Sequence, residues 1–250
     1  MRWLAMDLHV HTVLSACAEI EMIPPHIVEV ALTLGLAAIA ITDHNSAENV
    51  EATKQAAAGT ELVVFAGMEV QTREEAHLLA VFDQVEQAQA LQAAIYERLP
   101  SDHNRPEYFG EQLVVDACGN FVAMNSRLLQ VSASLSLEEA TGLIKGLGGL
   151  CLAAHVDRPT YSIIANLGFI PPSLPLDGVE VSRNGSVEEL AAICTDRTDL
   201  GMVAFGDAHR LAEMTGRTRF FVQAATVSEV GLALRRCQGR TFWVAPTRCG

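Results

Sequence analysis

Several features that would place a chain of 250 residues in a specialised class are missing from this sequence. Its six cysteines are scattered at positions 17, 118, 151, 194, 237 and 249 without a CxxC pair, which argues against a disulfide framework and a zinc finger. No apolar run approaches the roughly 20 residues that span a bilayer, and no secretory h-region follows Arg2. These absences predict a soluble, cytoplasmic protein that does not bind membranes.

Positive charge is also scarce. The chain has 17 lysines and arginines against 30 acidic residues, a formal net charge of −13. No basic stripe with interleaved aromatic residues is present to follow a phosphate backbone. Long nucleic acid is therefore predicted not to be a partner. A small anionic substrate stays compatible with this charge, because bound metal ions would bring positive charge into a site.

What the sequence does contain is a regular alternation of short apolar runs with helix-like segments, the pattern of βα units around a parallel sheet. We expect one domain over residues 1–250. The stretch from about 101 to 136 breaks this rhythm with two strand-like pieces around an Ala-Cys-Gly turn. We interpret it as an insertion carrying a hairpin, either a lid over a site or a structural element. His103, Asn104 and Arg105 in it are candidate substrate contacts.

Histidines concentrate at the ends of the predicted strands. Six of the eight lie there, and two acids share this placement: Glu69 and Asp207. Polar residues at the carboxyl ends of parallel barrel strands are typical of catalytic sites. The six histidines are His9, His11, His44, His77, His155 and His209.

The spacing of these residues favours metal binding. His9 and His11 are two apart on a strand, so both side chains project from one face and can hold one ion, and Asp207 and His209 repeat this spacing. Taken singly, Glu69 could be a solvated strand end or a helix cap, and each histidine could be an ordinary core or turn residue. Together they form a mixed nitrogen and oxygen set that suits zinc, manganese or iron.

Five motifs in a fixed order extend this pattern. They are Asp7-Leu-His-Val-His-Thr12, Ile41-Thr-Asp-His-Asn45, Gly67-Met-Glu-Val70 followed by His77, Ala154-His155, and Phe205-Gly-Asp-Ala-His209. The sequence here resembles the PHP (polymerase and histidinol phosphatase) family, in its stand-alone phosphoesterase form. The resemblance implies an α/β fold, a distorted seven-stranded TIM-like (βα) barrel, with two or three divalent metal ions (zinc, manganese or iron) at the carboxyl ends of its strands.

The resemblance also implies ligand sets. The first ion would be held by His9, His11, Glu69 and Asp207, the second by Glu69, His77 and His155, and the third by His44, His209 and one residue from the loop after His11. That loop departs from the family pattern, because Cys17 stands where a histidine is common and Glu19 is the nearest acid. Either residue could complete the third site, and Cys17 could equally be a small turn residue.

The function that follows is hydrolysis of a small phosphomonoester or phosphodiester, of the nucleotide or sugar phosphate class, by a hydroxide bridging two metal ions. Arg158, Arg183 and Arg210 lie near the same rim and are the candidates for binding the substrate phosphate. Each could instead be a surface ion pair. The residues expected to be catalytic are His9, His11, Glu69, His155, Asp207 and His209.

Two other functions stay open at this point. An amidohydrolase-like barrel also begins with an HxH strand, but Lys54 lies in the middle of a predicted helix and Lys145 ends one, so neither suits the carbamate that often bridges metals in such enzymes. A non-catalytic, metal-stabilised scaffold or regulatory domain is the third candidate. Unused buried histidines and acids would cost stability, which disfavours it.

Overall fold

The computed structural model describes residues 1–246. Cys249 and the end of the predicted single domain lie outside these residues. The strands are β1 (Arg2–Val10), β2 (Ala38–Ile41), β3 (Val63–Gln71), β4 (His77–Phe82), β5 (Leu113–Val115), β6 (Phe121–Met124), β7 (Leu150–Ala153), β8 (Gly178–Val181), β9 (Gly201–Ala204), β10 (Thr218–Val222) and β11 (Thr241–Val244). The helices are α1 (Pro24–Thr33), α2 (Val50–Ala56), α3 (Val85–Tyr96), α4 (Pro106–Phe109), α5 (Leu137–Gly146), α6 (Ile163–Leu167), α7 (Val187–Ile193) and α8 (Val227–Leu234).

Nine of these strands form one curved sheet in the order β11-β10-β1-β2-β3-β4-β7-β8-β9. Strands β4 and β10 run antiparallel to both of their neighbours, so the remaining seven strands point in one direction. The two ends of the sheet, β9 and β11, approach each other and nearly close a barrel. The predicted α/β barrel is confirmed. The sheet adds two reversed strands to the seven expected, and β10 was not predicted.

Buried apolar residues form two layers, one on each face of this sheet. Leu8, Phe65 and Phe205 belong to the layer that fills the barrel, and α8 contributes Leu234 to it from the amino-terminal end. The other layer lies between the strands and the surrounding helices. A barrel filled by side chains leaves no pore, so polar residues that point inward gather at one end.

A bulge in β1 aims the first two histidines at that end. Asp7 pairs with Ile39 and Val10 pairs with Ile41, so two residues of β1 face one residue of β2. The extra residue lets Leu8 fill the barrel interior while His9 also turns inward, which a regular two-residue alternation would forbid. His11 then follows on the same face as His9, as its spacing predicted.

The insertion at residues 101–136 packs against the barrel mouth. It contains α4 and the hairpin of β5 and β6. Backbone nitrogen of Leu113 donates to Val13 oxygen (2.9 Å), and the side chain of Asn49 bonds the backbone of both Leu113 (2.9 Å) and Val115 (3.0 Å). The predicted hairpin is present, and it is tied to the loop after His11.

The alternation of strands and helices that the sequence predicted is present along the chain. The short helices α4 and α6 were not predicted, since four and five residues carry too little periodicity to detect. Within residues 1–246, no helix combines the length and the apolar character that crossing a membrane requires. The cytoplasmic location stays a prediction.

Candidate metal centre

The metal-binding candidates meet at one end of the barrel, where strands of both directions deliver them. His9 comes from β1, Glu69 from β3, and His155 follows β7. His77 begins β4, and because β4 is antiparallel to β3 its first residue lies at the same edge as the end of β3. The reversed strand thus explains how a residue at the start of a strand joins residues at the ends of others.

Glu69 lies at the centre of the cluster and is 1% exposed. Its Oε1 lies 2.7 Å from His77 Nδ1 and 3.0 Å from His155 Nε2. Its Oε2 lies 3.0 Å from His44 Nδ1 and 3.4 Å from His11 Nε2. Its Oε1 also lies 3.4 Å from His9 Nε2. One carboxylate that reaches five imidazoles through both oxygens is suited to bridge two metal ions.

The tautomers of His9 and His11 require a cation between them. His9 Nδ1 lies 2.9 Å from a Glu180 oxygen and must donate to it, since a carboxylate carries no hydrogen. Ser15 donates to Asp43 (2.7 Å), so His11 Nδ1 donates to the Ser15 hydroxyl (2.9 Å). If both rings are neutral, each Nε2 atom therefore carries a lone pair and no hydrogen. Two such atoms repel each other, yet these lie 3.1 Å apart. A metal ion or a proton is needed to hold them there.

Three overlapping groups of residues bring their ligand atoms within 4.8 Å of one another. They are His9, His11, Glu69 and Asp207; His44, Glu69 and His77; and His11, His44 and His209. His77 Nε2 and His155 Nδ1 are buried and lack a hydrogen-bond partner among the described residues, and the close contacts of Glu69 Oε2 to His44 and His11 do not have hydrogen-bond geometry. Buried polar atoms without partners are costly, and a cation at these points would remove the cost for those that face it. The donor set therefore fits metal ions.

The groups agree with the predicted sets in outline and differ in detail. The first group is identical to the predicted first set. In the second, His44 joins Glu69 and His77, while His155 approaches Glu69 without entering the group. In the third, His11 takes the position that the sequence assigned to the following loop.

Two ligand candidates sit on strained backbone. His155 has φ +29° and Asp207 has φ +44°, in the left-handed region that non-glycine residues rarely adopt. Two buried carboxylates hold these turns. Glu180 accepts from the backbone nitrogen of His155 (3.1 Å), and Asp7 accepts from that of Gly206 (2.8 Å). The surrounding structure thus fixes side chains that local preferences would not place here.

The carboxylates create a strong demand for positive charge. Burial disfavours protonation of His9, but the charges of Glu180, Asp207 and Glu69 outweigh it and raise its pKa well above the usual value. Burial likewise opposes protonation of His11, yet hydrogen bonds to Asp207 and Glu69 raise its pKa to about 9. At His209, burial and the nearby His11 charge lower the pKa to about 3. Rings that cannot all be protonated leave lone pairs available for metal.

Glu180 is a functional residue that the sequence did not reveal. It lies fully buried in β8, bonds His9 through both oxygens (2.9 and 3.1 Å) and accepts from the backbone of His155. Such a carboxylate behind a histidine fixes its tautomer and makes it a better ligand. The missed signal is a lone charge within the four-residue apolar strand Gly178–Val181.

Cys17 and Glu19 lie apart from the three groups. Cys17 is exposed at the cavity surface, and the protein around its thiol together with the charge of Glu69 raises the thiol pKa to about 12. Glu19 pairs with Arg210 at 2.9 Å. Neither residue belongs to a ligand group among the described residues, and completion of a third site by either one stays a prediction.

The three predicted arginines line one open cavity of about 550 Å³ beside the cluster. Arg158 Nη1 lies 2.6 Å from Asp207 Oδ2, so one arginine contacts a ligand candidate directly. Arg183 pairs with Glu213 at 3.1 Å, and Arg210 pairs with Glu19. Ser182 and Asn184 add neutral polar groups to the wall.

A second cavity of about 420 Å³ opens on the other side of Arg158 and reaches the ligand candidates. The insertion contributes Phe109 and Gln130 to its wall, and Tyr161 lines it as well. The predicted contacts His103, Asn104 and Arg105 do not line this cavity. In the described structure they bond or stack within the insertion, the first two onto Ser126 and Gly110.

The sequence matches the model of the PHP domain over residues 7–166. The chain belongs to the PHP domain family. A comparison with curated proteins finds no match. The predicted family is therefore confirmed by a match that covers more than half of this PHP protein.

Solved structures show the same fold at low sequence identity. The lesion-specific endonuclease Q from Pyrococcus furiosus superimposes with a TM-score of 0.73 and 18% identity, covering 96% of this chain and 58% of its own. A protein described as a metal-dependent phosphoesterase, from Bifidobacterium adolescentis, superimposes with a TM-score of 0.55 and 23% identity, covering 83% of this chain and 88% of its own. An amidohydrolase from Chromobacterium violaceum superimposes with a TM-score of 0.57 and 19% identity, covering 94% of this chain and 99% of its own. This PHP chain spans less than two thirds of the endonuclease.

These structures correct one prediction. A second endonuclease Q structure, with a TM-score of 0.71, contains a 27-mer duplex substrate with an abasic lesion at the active site. The exclusion of long nucleic acid was wrong, because a protein that contains a barrel of this fold takes a DNA duplex as its substrate. Net charge is summed over the whole surface, whereas binding depends on the local field of a cleft, so −13 could not exclude this class.

Proposed function

We propose that this PHP protein is a metal-dependent hydrolase of phosphoric ester bonds, acting on a nucleotide or sugar phosphate unit. The contact between Arg158 and Asp207 supports this most directly, because it joins an arginine-lined cavity to a cluster of metal-ligand candidates over 2.6 Å. Hydrolysis of a phosphoester needs metal ions near the phosphorus and positive side chains near the anionic oxygens. Because these atoms are bonded to each other, the metal cluster and the arginines must lie side by side.

The residues around the cluster have distinct tasks in this proposal. His9, His11, Glu69 and Asp207 would hold one ion, with His44 and His77 sharing Glu69 for another. Bound ions of this kind supply a water of lowered pKa and positive charge beside the phosphate. Glu180 and Ser15 orient His9 and His11 through their Nδ1 atoms.

The arginines bind and orient the substrate. Arg158 uses one nitrogen on Asp207, which leaves most of its five N–H donors for phosphate oxygens. Arg183 and Arg210 are held at the cavity wall by Glu213 and Glu19. Pairing each arginine with an acid keeps it in place in the free enzyme, so less side-chain freedom is lost on binding.

The amidohydrolase alternative is supported by one structural neighbour. Against it, both lysines of the chain are engaged elsewhere. Lys54 donates to Asp83 oxygen at 3.1 Å and Lys145 pairs with Asp177 at 2.6 Å, and neither lines the two cavities. In this proposal Glu69, which belongs to two of the ligand groups, would take the bridging role instead.

The test measures metal content and turnover together. Protein purified without chelator is analysed for metals, then stripped and reloaded with zinc, manganese or iron(II). Each form is offered p-nitrophenyl phosphate, bis-p-nitrophenyl phosphate and an anilide of matched size. We expect at least two ions per chain and ester cleavage that disappears on stripping and returns on reloading.

Other outcomes would reject the proposal. Cleavage of the anilide without cleavage of either phosphate ester would make the protein an amidohydrolase. Bound metal with no turnover on any substrate would favour a scaffold or regulatory domain. Failure to bind metal from a replete solution would remove the basis of all three metal-dependent functions.

A further inference from the structure

The second cavity contains features that phosphate binding does not require. Its volume of about 420 Å³ lies within the range of ligand pockets, about 300–1,000 Å³. Beside the metal-ligand candidates it presents two aromatic residues, Phe109 and Tyr161, and two amides, Gln71 and Gln130. An anionic phosphate group does not bind well to the faces of aromatic rings. Phe109 and Tyr161 therefore face a different part of the substrate.

Tyr161 is a fixed platform. Its ring stacks on His77 with centroids 5.2 Å apart and planes 26° apart, while the residue remains 46% exposed. Its φ is +56°, a strained value for a tyrosine, and its carbonyl accepts from the backbone of His77 at 3.2 Å. Backbone strain at an exposed aromatic residue beside a reaction centre is typical of a binding position.

Phe109 is brought to the same cavity by the insertion. It ends α4 and is 43% exposed, although burying its ring elsewhere would be favourable. The next residue, Gly110, has φ +90°, and a side chain there would meet Ala16 oxygen at 2.7 Å. The insertion is therefore seated directly on the loop that precedes Cys17, and this seating holds Phe109 at the cavity.

We propose that this cavity binds the flat base of a nucleotide unit, stacked on Tyr161 and Phe109, while the arginine-lined cavity takes its phosphate. Arg158 lines both cavities and marks the junction between them. The Gln130 amide and the Gln71 side-chain oxygen line the same cavity and would bond the edge of the base, while the Gln71 nitrogen donates to Ser132 Oγ at 3.1 Å. This inference rests on the proposed phosphoesterase function and narrows its substrate from sugar phosphates in general to nucleotides.

Selectivity between two substrates tests the assignment. AMP and ribose 5-phosphate share the phosphate and the ribose, and AMP alone carries a base. For Phe109→Ala and Tyr161→Ala, we expect the ratio of kcat/KM for AMP to that for ribose 5-phosphate to fall about 5- to 150-fold, the effect of losing one base–aromatic stack. Tyr161→Phe keeps the ring and should restore the ratio.

The matched control is Phe121→Ala. Phe121 belongs to the same insertion and is 64% exposed, but it lines neither cavity. The ratio should stay at the wild-type value in this variant. Metal content is measured in all variants, because Tyr161 contacts a metal-ligand candidate. Equal losses on both substrates, or no loss in Phe109→Ala, would overturn the assignment.

Binding measurements separate this inference from the proposed function. Titration calorimetry of AMP and ribose 5-phosphate with wild type and Phe109→Ala needs no turnover. A preference for AMP that the variant loses supports the base site even if no ester is cleaved, and absence of any preference refutes it. A 12-residue single-stranded DNA with a terminal phosphate, compared with AMP in both assays, shows whether the nucleotide is bound free or within a strand.

Discussion

The ligand cluster and the insertion meet at the barrel mouth but are fixed by different means. In the cluster, buried carboxylates hold histidines through side-chain bonds, as Glu180 holds His9 and Glu69 reaches His77. In the insertion, neutral amide side chains and backbone bonds replace these carboxylates: Asn45 and Asn49 bond its backbone, and its own Asn125 donates to Glu48 and Tyr96. Strand β6 is exposed along its whole length. A bound cation would therefore stabilise the cluster, whereas the insertion is stabilised by its contacts with the barrel loops.

This difference separates chemistry from selectivity. Changes in the cluster should remove metal and turnover together, whereas changes at the rim or in the insertion should leave metal in place. Substitutions at Glu69, Glu180, Arg158 and Asn49 test this division, from the largest expected effect to the smallest.

Glu69→Ala should have the largest effect. It removes the carboxylate that reaches five imidazoles, so we expect fewer than half of the wild-type metal ions and a loss of about 1,000-fold or more in kcat, about 4 kcal/mol of transition-state stabilisation. Elemental analysis and ester turnover are measured on the same preparation. Glu69→Gln keeps the volume and separates lost charge from a lost side chain. Full metal content in Glu69→Ala would contradict the central place of this residue.

Glu180→Gln tests whether the support behind the ligands matters as much as the ligands. The amide keeps the shape but loses the charge that holds His9, and we expect metal affinity to fall about 10- to 100-fold. Competition with a chromophoric chelator gives the dissociation constants. Glu229→Gln, which alters a carboxylate paired with Arg240 in another part of the chain, is the matched control. Equal affinities for both variants would show that Glu180 is only structural.

The support behind His9 also shows where sequence reasoning ends. His9, Glu69 and Asp207 could be predicted because polar residues interrupt apolar strands at their carboxyl ends. Glu180 could not, because a charged residue inside a short strand reads as solvent-facing until the neighbouring strands are known.

The fold, like the site, has features that local sequence patterns predicted and features that they did not. The βα rhythm predicted the barrel and the place of the insertion, since both depend on local patterns. The sequence left β10 unassigned, and the antiparallel direction of β4 is set by pairing between distant segments. Phe109 and Gln130 reach the cavity only through docking of the insertion, a contact that no local pattern encodes.

Arg158→Ala should separate substrate binding from metal binding at the rim. Losing a charge-assisted bond to phosphate should lower kcat/KM for phosphate esters about 10- to 100-fold. Metal content should stay near two or more ions per chain, because Arg158 contacts Asp207 without being a ligand. Arg158→Lys should recover part of the activity, and Arg235→Ala, which alters an arginine paired with Asp177, should change nothing. Metal loss in Arg158→Ala would show that the rim belongs to the cluster.

Asn49→Ala removes a side chain that links the insertion to the barrel, and it should have the smallest effect on catalytic turnover. Asn49 donates to Thr12 (2.9 Å) and Leu113 oxygen (2.9 Å) and accepts from Val115 nitrogen (3.0 Å). Because these buried backbone groups lose their partner, the free energy of unfolding should fall by about 1–3 kcal/mol. Chemical denaturation measures this change, and Asn166→Ala, which removes an exposed bond, is the control.

Hydrogen exchange on the same variant decides how firmly the insertion is seated. A bonded Val115 amide should be protected in the wild type and should exchange faster in Asn49→Ala, while amides of β3 keep their protection. Faster exchange throughout the barrel would mean that the insertion and the cluster form one cooperative unit. An unprotected Val115 in the wild type would instead make the insertion a mobile lid, and the fixed position of Phe109 at the cavity would then be lost.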